Sequence, residues 1–398
     1  MKKLLKISVP IILFVLCYFW FEPILLHNFG RKKLTDLSNL QPKINHSDPI
    51  KKQADKILKS EFDHLNTPAL SVSIGIDNVL IWSNTIGYAD VENLISADSL
   101  TKFRIGSTSK TFTSVGLGVL IQRKELQPQS LVEDFVPYAS SGLSKLTLEQ
   151  LASHTSGIRN YETCLCFPIW EYYSNDDYNS IEESISVFNN DNLLFEPGTD
   201  FGYSTYNYTL LSGMIEGASG QDFVSFMKEN VFQSLQMIQT QADNMGENIE
   251  NTSKFYELEN GEIKEAYATN SSNKWAGGGF LSTTNDLVKF GNAVINYRLL
   301  DSTTTQLLFK PVTLVNGEVN EQNYGLGWRN DVIENIFEDK RSVNTIHHGG
   351  TAMGSTAMLI LLPEYNTTVA VTMNKNGKSA DLLDVAYKIA ELFITSKK

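Results

Sequence analysis

Cysteine is scarce in this 398-residue sequence: Cys17, Cys164 and Cys166 are the full set, so no disulfide framework holds the fold together. No Cys-x-x-Cys pair is present, and Cys164 and Cys166 read as plain loop residues. Histidine is sparse as well, with six in all, no His-Glu-x-x-His arrangement, and no further ligand at a useful spacing from the adjacent His347 and His348. Neither a metal nor another cofactor is therefore expected. Positive charge is also short. The 33 Lys and Arg residues face 45 Asp and Glu, a net charge of −12, and no basic stripe with interleaved aromatics occurs, which excludes a nucleic-acid surface. Internal repeats and low-complexity tracts are missing too. What is left, 42% hydrophobic and 20% charged, is ordinary globular composition with enough material for a sizeable core.

The amino-terminal segment stands apart. Lys2, Lys3 and Lys6 precede an uncharged run from Ile7 to Phe21, and Tyr18, Phe19 and Trp20 cluster as interfacial aromatics do. No Ala-x-Ala cleavage site follows, and Leu16 before Cys17 is too large for lipoprotein processing. Residues 1–27 are thus expected to be a retained signal anchor in the membrane, with cleavage and secretion as the alternative. Residues 28–48 read as a polar linker, and 49–398 as the folded domain, outside the cytoplasm.

Within that domain, Ile50, Ala54, Ile57, Leu58, Phe62 and Leu65 recur at helical spacing. A hairpin follows: Leu70, Val72, Ile74 and Ile76 alternate up to Asp77-Asn78, and Leu80 and Trp82 resume the pattern. The far end mirrors this with strands over Met358–Leu362 and Thr368–Thr372, then a closing helix through Leu382, Ala386, Ile389 and Phe393. Residues from about Gln127 to Asn320 carry mostly helical patterning. The fold class predicted is α/β (α+β): an antiparallel sheet built from both chain ends and flanked by helices, with an inserted, mainly helical lobe.

One stretch carries chemistry more plainly than the rest. Phe103 to Thr113 reads as a strand-to-helix junction in which Ser107 sits at a helix N-terminus, where unpaired N–H groups favour a negative oxygen. Lys110, three residues on, returns to the same face as the Ser107 hydroxyl. Such a lysine serves as a base only if its pKa is lowered. The same Ser-x-x-Lys spacing recurs at Ser99/Lys102, Ser225/Lys228 and Ser271/Lys274, and only Ser107 follows glycine and opens a long apolar helix.

Two further stretches fit an acylating site. Tyr203 lies just before a helix carrying Leu210, Leu211, Met214 and Ile215; near a lysine ammonium its pKa of about 10 would fall and let it shuttle a proton, although a packing aromatic would look the same. His348-Gly349-Gly350-Thr351 leads into a strand, and its glycines suit close approach of a substrate backbone, with a free N–H completing an oxyanion hole with that of Ser107.

Taken together these pieces resemble the serine β-lactamase and penicillin-binding-protein superfamily, in its class C-related branch. Gly106-Ser-Thr-Ser-Lys110 matches the Ser-x-x-Lys box, Tyr203-Ser-Thr205 the Tyr-x-Asn box, and His348-Gly-Gly350 the Lys-Thr-Gly or His-x-Gly box. Leu151-Ala-Ser-His-Thr-Ser-Gly157, Glu196-Pro-Gly198, Ala276-Gly-Gly-Gly-Phe-Leu-Ser-Thr283 and Tyr324-Gly-Leu-Gly-Trp328 support it in the family's order. Gly87-Tyr-Ala-Asp-Val-Glu-Asn93 and His154-Thr-Ser-Gly-Ile-Arg159 are similar to the mitochondrial serine β-lactamase-like group and its bacterial relatives. The resemblance implies Ser107 as nucleophile, Lys110 as base, Tyr203 as second proton carrier, and the N–H groups of Ser107 and Thr351 as oxyanion hole. It also implies that Thr205, His348, Gly349 and Gly350 contact the substrate. Thr205 replaces the family's usual asparagine, and its hydroxyl lacks the amide's paired donor and acceptor.

The expected function is a serine hydrolase that passes through an acyl-enzyme on Ser107 and acts on a small-molecule, peptide or ester substrate. A true β-lactamase or D,D-peptidase is one alternative, and a catalytically silent protein that binds peptidoglycan or a partner is another. Oligomeric state is not indicated. His348 in place of a permanently charged lysine is expected to disfavour a substrate carboxylate at that point, with any preference for anions growing as pH falls through about 6.

Overall fold

A computed structural model of the chain describes residues 10–17, 47–161, 171–173, 175–259, 261–334, 336–337 and 341–396. Its principal helices are α1 (Pro49–Leu65), α2 (Ser109–Gln122), α3 (Tyr206–Ser219), α4 (Trp275–Gly278), α5 (Thr284–Ile295) and α6 (Ser379–Thr395). Helix α1 starts where the Asp48 carboxylate accepts hydrogen bonds from the Ile50 and Lys51 N–H groups at 2.8 and 3.1 Å, with Pro49 at a position that needs no donor.

The main sheet has seven strands: β1 (Ala69–Ile76), β2 (Val79–Asp90), β3 (Ile95–Ser96), β4 (Arg329–Ile333), β5 (Val343–Ala352), β6 (Ser355–Leu362) and β7 (Thr367–Met373). Their order is β3-β2-β1-β7-β6-β5-β4, antiparallel throughout, so the amino-terminal hairpin joins the carboxy-terminal strands through the β1–β7 pair. Asp77 and Asn78 both take positive φ, 52° and 64°, as a two-residue turn between twisted strands requires. Side-chain alternation divides the core. On β6, Met358, Ile360 and Leu362 pack with Leu58 and Phe62 of α1 and Leu382, Ala386 and Ile389 of α6. The intervening Ala357, Leu359 and Leu361 face the other way, toward Leu287, Val288 and Phe290 of α5 and the residues of α2.

Helix α2 is the centre of the second core, and every residue from Ser109 to Leu120 is buried. A helix enclosed on all sides shows no amphipathic stripe. Phe112 pins it: its ring meets Phe290, Phe232 and Phe280 edge-on, with centroids 4.7, 5.3 and 5.9 Å away. The start of α2 is thereby held beside β5, and the chemistry lies at that junction.

The architecture expected from the sequence is the one observed, with local departures. The inserted lobe is not wholly helical: Phe280–Ser282 pairs with both Phe103–Arg104 and Gln241–Ala242, and Tyr256–Glu259 pairs with Glu262–Glu265. Strands this short hold too few alternating residues to register as a period. Ser107 lies in a 3₁₀ turn, Gly106–Thr108, that precedes α2. His348, Gly349 and Gly350 lie inside β5 instead of ahead of it. Cys164 and Cys166 fall outside the described residues, as does most of the expected anchor and linker; residues 10–17 form a helix with exposed side chains. Among the described residues no helix is long and apolar enough to cross a membrane.

Candidate active site

Two glycines allow β5 to lie on the 3₁₀ turn. Gly106 adopts φ +50°, and a Cβ there would stand 2.7 Å from the Thr351 carbonyl carbon and oxygen. A Cβ on Gly350 would come within 1.9 Å of the Ile105 carbonyl oxygen and 2.8 Å of the Ser107 nitrogen. Backbone meets backbone here, and only glycine permits it. The Ser107 N–H, early in its turn, has no acceptor within the helix, and the contact brings it beside Gly350, the residue before Thr351. Gly349 serves another purpose, since a Cβ there would strike the Ser379 hydroxyl at 2.3 Å; its open side is filled by α6.

Lys110 is fully buried, and burial lowers its pKa well below the ordinary lysine value. Its Nζ is 2.6 Å from the Gly277 carbonyl oxygen, 3.4 Å from Thr205 Oγ1 and 3.3 Å from Ser107 Oγ. A neutral amine has two N–H donors and one lone pair. Gly277 and Thr205 accept the two donors, which leaves the lone pair for the Ser107 hydroxyl proton. The rings of Tyr203 and Tyr208 close over the amine, with centroids 4.9 and 5.2 Å from Nζ.

Tyr203 precedes α3, half-buried, within reach of Ser107. The anticipated fall in its pKa is corrected by the structure: burial raises it, and the hydrogen bond with Ser107 only partly opposes this. Tyr203 is therefore a phenol that donates, not a phenolate that accepts. Thr205 is buried, its N–H bonded to Asn160 Oδ1 at 2.9 Å and its hydroxyl occupied with Lys110 and Tyr161. It braces the lysine in addition to lining the cleft.

His348 departs furthest from expectation. Its side chain is only 2% exposed and both ring nitrogens are engaged, Nδ1 with the Gly349 carbonyl oxygen at 2.6 Å and Nε2 with the Tyr324 hydroxyl at 2.7 Å. A carbonyl can only accept, so Nδ1 carries the proton and Nε2 accepts from the tyrosine. Burial, then the basic side chains of Lys110 and Arg329, depress its pKa well below 6.5, which favours the neutral imidazole, and the pH-dependent attraction of anions expected from it is not supported. His347, on the opposite face of β5, pairs with Asp331 at 2.8 Å. The two histidines cannot close on one ion.

The cleft over Ser107 is narrow and open to solvent, and Tyr161, Thr205, Lys274, Gly277 and Thr351 are among its walls. A family model described as Beta-lactamase matches residues 54–392. The chain belongs to the beta-lactamase family. It is 29% identical to the human serine beta-lactamase-like protein LACTB, mitochondrial, over 82% of this chain and 77% of that one. It is 26% identical to penicillin-binding protein 4* of Bacillus subtilis over 74% of this chain and 66% of the relative. Among solved structures, D-amino acid amidase from Ochrobactrum anthropi SV3 superposes with a TM-score of 0.74 at 20% identity, covering 88% of this chain and all of that one. The penicillin-binding protein homologue of Pyrococcus abyssi gives 0.71 at 21% identity, covering 86% of this chain and 77% of that one. Family membership makes the chain a serine hydrolase in the general sense, with the substrate unspecified.

Several residues of the family site escaped the reading of single motifs. Gly277 and Tyr324 sit inside segments quoted for the resemblance, but nothing in the sequence tells that one carbonyl holds the lysine or that one phenol holds the imidazole. His154 is similar: buried among Tyr203, Tyr208 and Tyr324, it accepts from the Ser204 N–H at 3.2 Å. Of the other Ser-x-x-Lys pairs, Lys102 donates to the Glu250 carbonyl at 2.7 Å, whereas Ser271 and Lys274 line the cleft itself.

Two outcomes follow from this geometry. Because only the neutral amine of Lys110 accepts a proton, kcat/KM is expected to rise with pH through a midpoint well below the ordinary lysine value of about 10.4, and to hold until the phenol of Tyr203 titrates above about 10. The same shift makes the unfolded chain the better proton binder between the two lysine pKa values, so stability also rises with pH there. Lys110→Met is expected to cut turnover about a thousandfold or more and to remove that slope from the stability profile, as kinetics and thermal melts at several pH values will show. The second concerns His348→Phe, which takes one hydrogen-bond partner each from the Tyr324 hydroxyl and the Gly349 carbonyl: a loss of about 1–3 kcal/mol in denaturant unfolding is expected, with the acid limb of the rate profile unmoved. A shift of that limb would show that His348 titrates in the working range.

Proposed function

We propose that the chain hydrolyses a peptide or ester through an acyl-enzyme on Ser107. The observation that carries this is the buried Lys110 amine 3.3 Å from Ser107 Oγ, with its N–H groups directed to Gly277 and Thr205. Lys110 takes the hydroxyl proton as Oγ attacks the carbonyl carbon. The oxyanion is received by the N–H groups of Ser107 and Thr351. As the carbonyl–heteroatom bond breaks, Tyr203 gives its phenol proton to the leaving group and recovers one from the Lys110 ammonium. Water then occupies the leaving group's place, attacks the acyl carbon, and its proton returns through the same pair to Ser107 Oγ. The proton count closes, and no cofactor is required.

Hydrolysis of β-lactams ranks second. The strand position where the superfamily resemblance would put a permanent cation is held by a neutral, enclosed His348, which supports acyl donors other than β-lactams. We further propose that residues 1–27 keep the enzyme on a membrane with the domain outside the cytoplasm, on the strength of the uncharged run from Ile7 to Phe21.

A serine-reactive phosphonate is expected to label Ser107 alone by peptide mapping, and label surviving Ser107→Ala overturns the assignment. Rates on an aryl ester and an internally quenched peptide are expected to exceed that on a chromogenic cephalosporin; a cephalosporin kcat/KM above about 10⁵ M⁻¹s⁻¹ and far above the others would promote the β-lactamase reading. A protein beginning at Ser47, which keeps the Asp48 cap, should stay in the soluble fraction with full labelling while the whole chain sediments with membranes. Aggregation of the shorter protein would show that the amino-terminal segment belongs to the fold.

A further inference from the structure

Lys274, set aside at the sequence level as a chance match, stands in the wall of the Ser107 cleft. It caps the start of α4, the same turn whose Gly277 carbonyl holds Lys110. Its Nζ lies over the rings of Tyr172 and Tyr161, 5.4 and 5.7 Å from their centroids. Among the described residues no carboxylate pairs with it, whereas six of the other lysines have one. Arg104 lines the same cleft. That guanidinium is held by Asp243, Nε to Oδ2 at 2.7 Å, and by the Met353 carbonyl at 3.2 Å, and of its five donors these use two. Two cations, one of them already paired with Asp243, thus line the space above the nucleophile in a protein of net charge −12.

We propose that Lys274, assisted by Arg104, forms an anion subsite that binds a carboxylate of the substrate and thereby sets which acyl donors Ser107 accepts. This rests on the acyl-enzyme reading and refines it. A cation absent from the His348 position is supplied from a different element, the entry to α4. Held on rings of low polarity and, among the described residues, with no carboxylate paired to it, the ammonium gains more from an incoming carboxylate than an exposed lysine would. The carboxylate is an acidic side chain or a chain terminus, since both present the same two oxygens.

Burial, and then repulsion from Arg104, draw the Lys274 pKa down to about 8 against the attraction of Asp243. At pH 7 the ammonium still predominates. Of the other groups around it, burial lowers the Lys110 pKa from the ordinary lysine value and raises that of Tyr161 above the ordinary phenol value. Any preference for a carboxylate is therefore expected to fade as pH rises through about 8.

The test uses the full-length protein and two phosphonates identical except for a short chain ending in a carboxylate or in a carboxamide. At pH 7 the wild-type protein is expected to react with the carboxylate probe about tenfold faster, relative to their rates with hydroxide, and to lose this ratio by pH 9. Lys274→Met is expected to bring the ratio to about one with the carboxamide rate unchanged, and Lys274→Arg to restore it and extend it to higher pH. Equal wild-type rates with label on Ser107 overturn the subsite alone, and a ratio that persists in Lys274→Met does the same. Failure of both probes to label Ser107 overturns the acyl-enzyme reading and the subsite with it. Should Lys274→Met prove unfolded by its melt, Lys274→Gln and the wild-type pH dependence decide. A pair of quenched peptides, one with an internal glutamate and one with a free carboxyl terminus, each against its amide form, then identifies the source of the carboxylate.

Discussion

A lysine amine held out of water beside a serine hydroxyl is the constraint on which the rest of this structure turns. Exposed, Lys110 would be an ammonium at neutral pH and could accept nothing from Ser107. To keep it neutral, the chain surrounds it with the rings of Tyr203 and Tyr208 and places it in a helix enclosed on every side. Burying an unpaired charge would be far costlier than burying an amine whose two donors are met, and the Gly277 carbonyl and the Thr205 hydroxyl meet them. In the proposed reaction the packing around it is what makes the lysine a base.

The same dry surroundings fix the state of the other groups. Tyr203 remains a phenol because burial opposes its anion, and His348 remains a neutral imidazole because burial opposes its cation. The proposed chemistry would therefore begin between neutral partners, with charge appearing only as bonds change. That arrangement rewards preorganised donors, and the close backbone contact between the Ser107 turn and β5 is one. Gly106 and Gly350 are demanded there by distance: a single methyl group on either would push the strand from the turn.

Long periodic elements were legible in the sequence. The hairpin about Asp77-Asn78, the strands flanking Pro363-Glu-Tyr-Asn366 and the closing helix each state their own period and their own turn, and the observed ranges follow them. Helix α2 was recognisable as buried for the converse reason, that it shows almost no polar interruption. Strands of two or three residues, such as Phe280–Ser282, carry no such statement and emerge only from their partners.

For the site, the sequence by itself determined that Ser107 and Lys110 share a helical face, that Tyr203 precedes a helix, and that adjacent glycines permit a close approach, because each depends on neighbours a few bonds away. Tertiary structure alone decided what those groups are electrically. Whether Lys110 is an amine, whether His348 reaches the cleft or bonds to Tyr324, and whether Ser271-x-x-Lys274 is a chance spacing or part of the wall all depend on segments 24 to more than 160 positions distant in the chain. A pKa reports the polarity of everything within several ångströms of a group, and that neighbourhood exists only once the chain has closed around it.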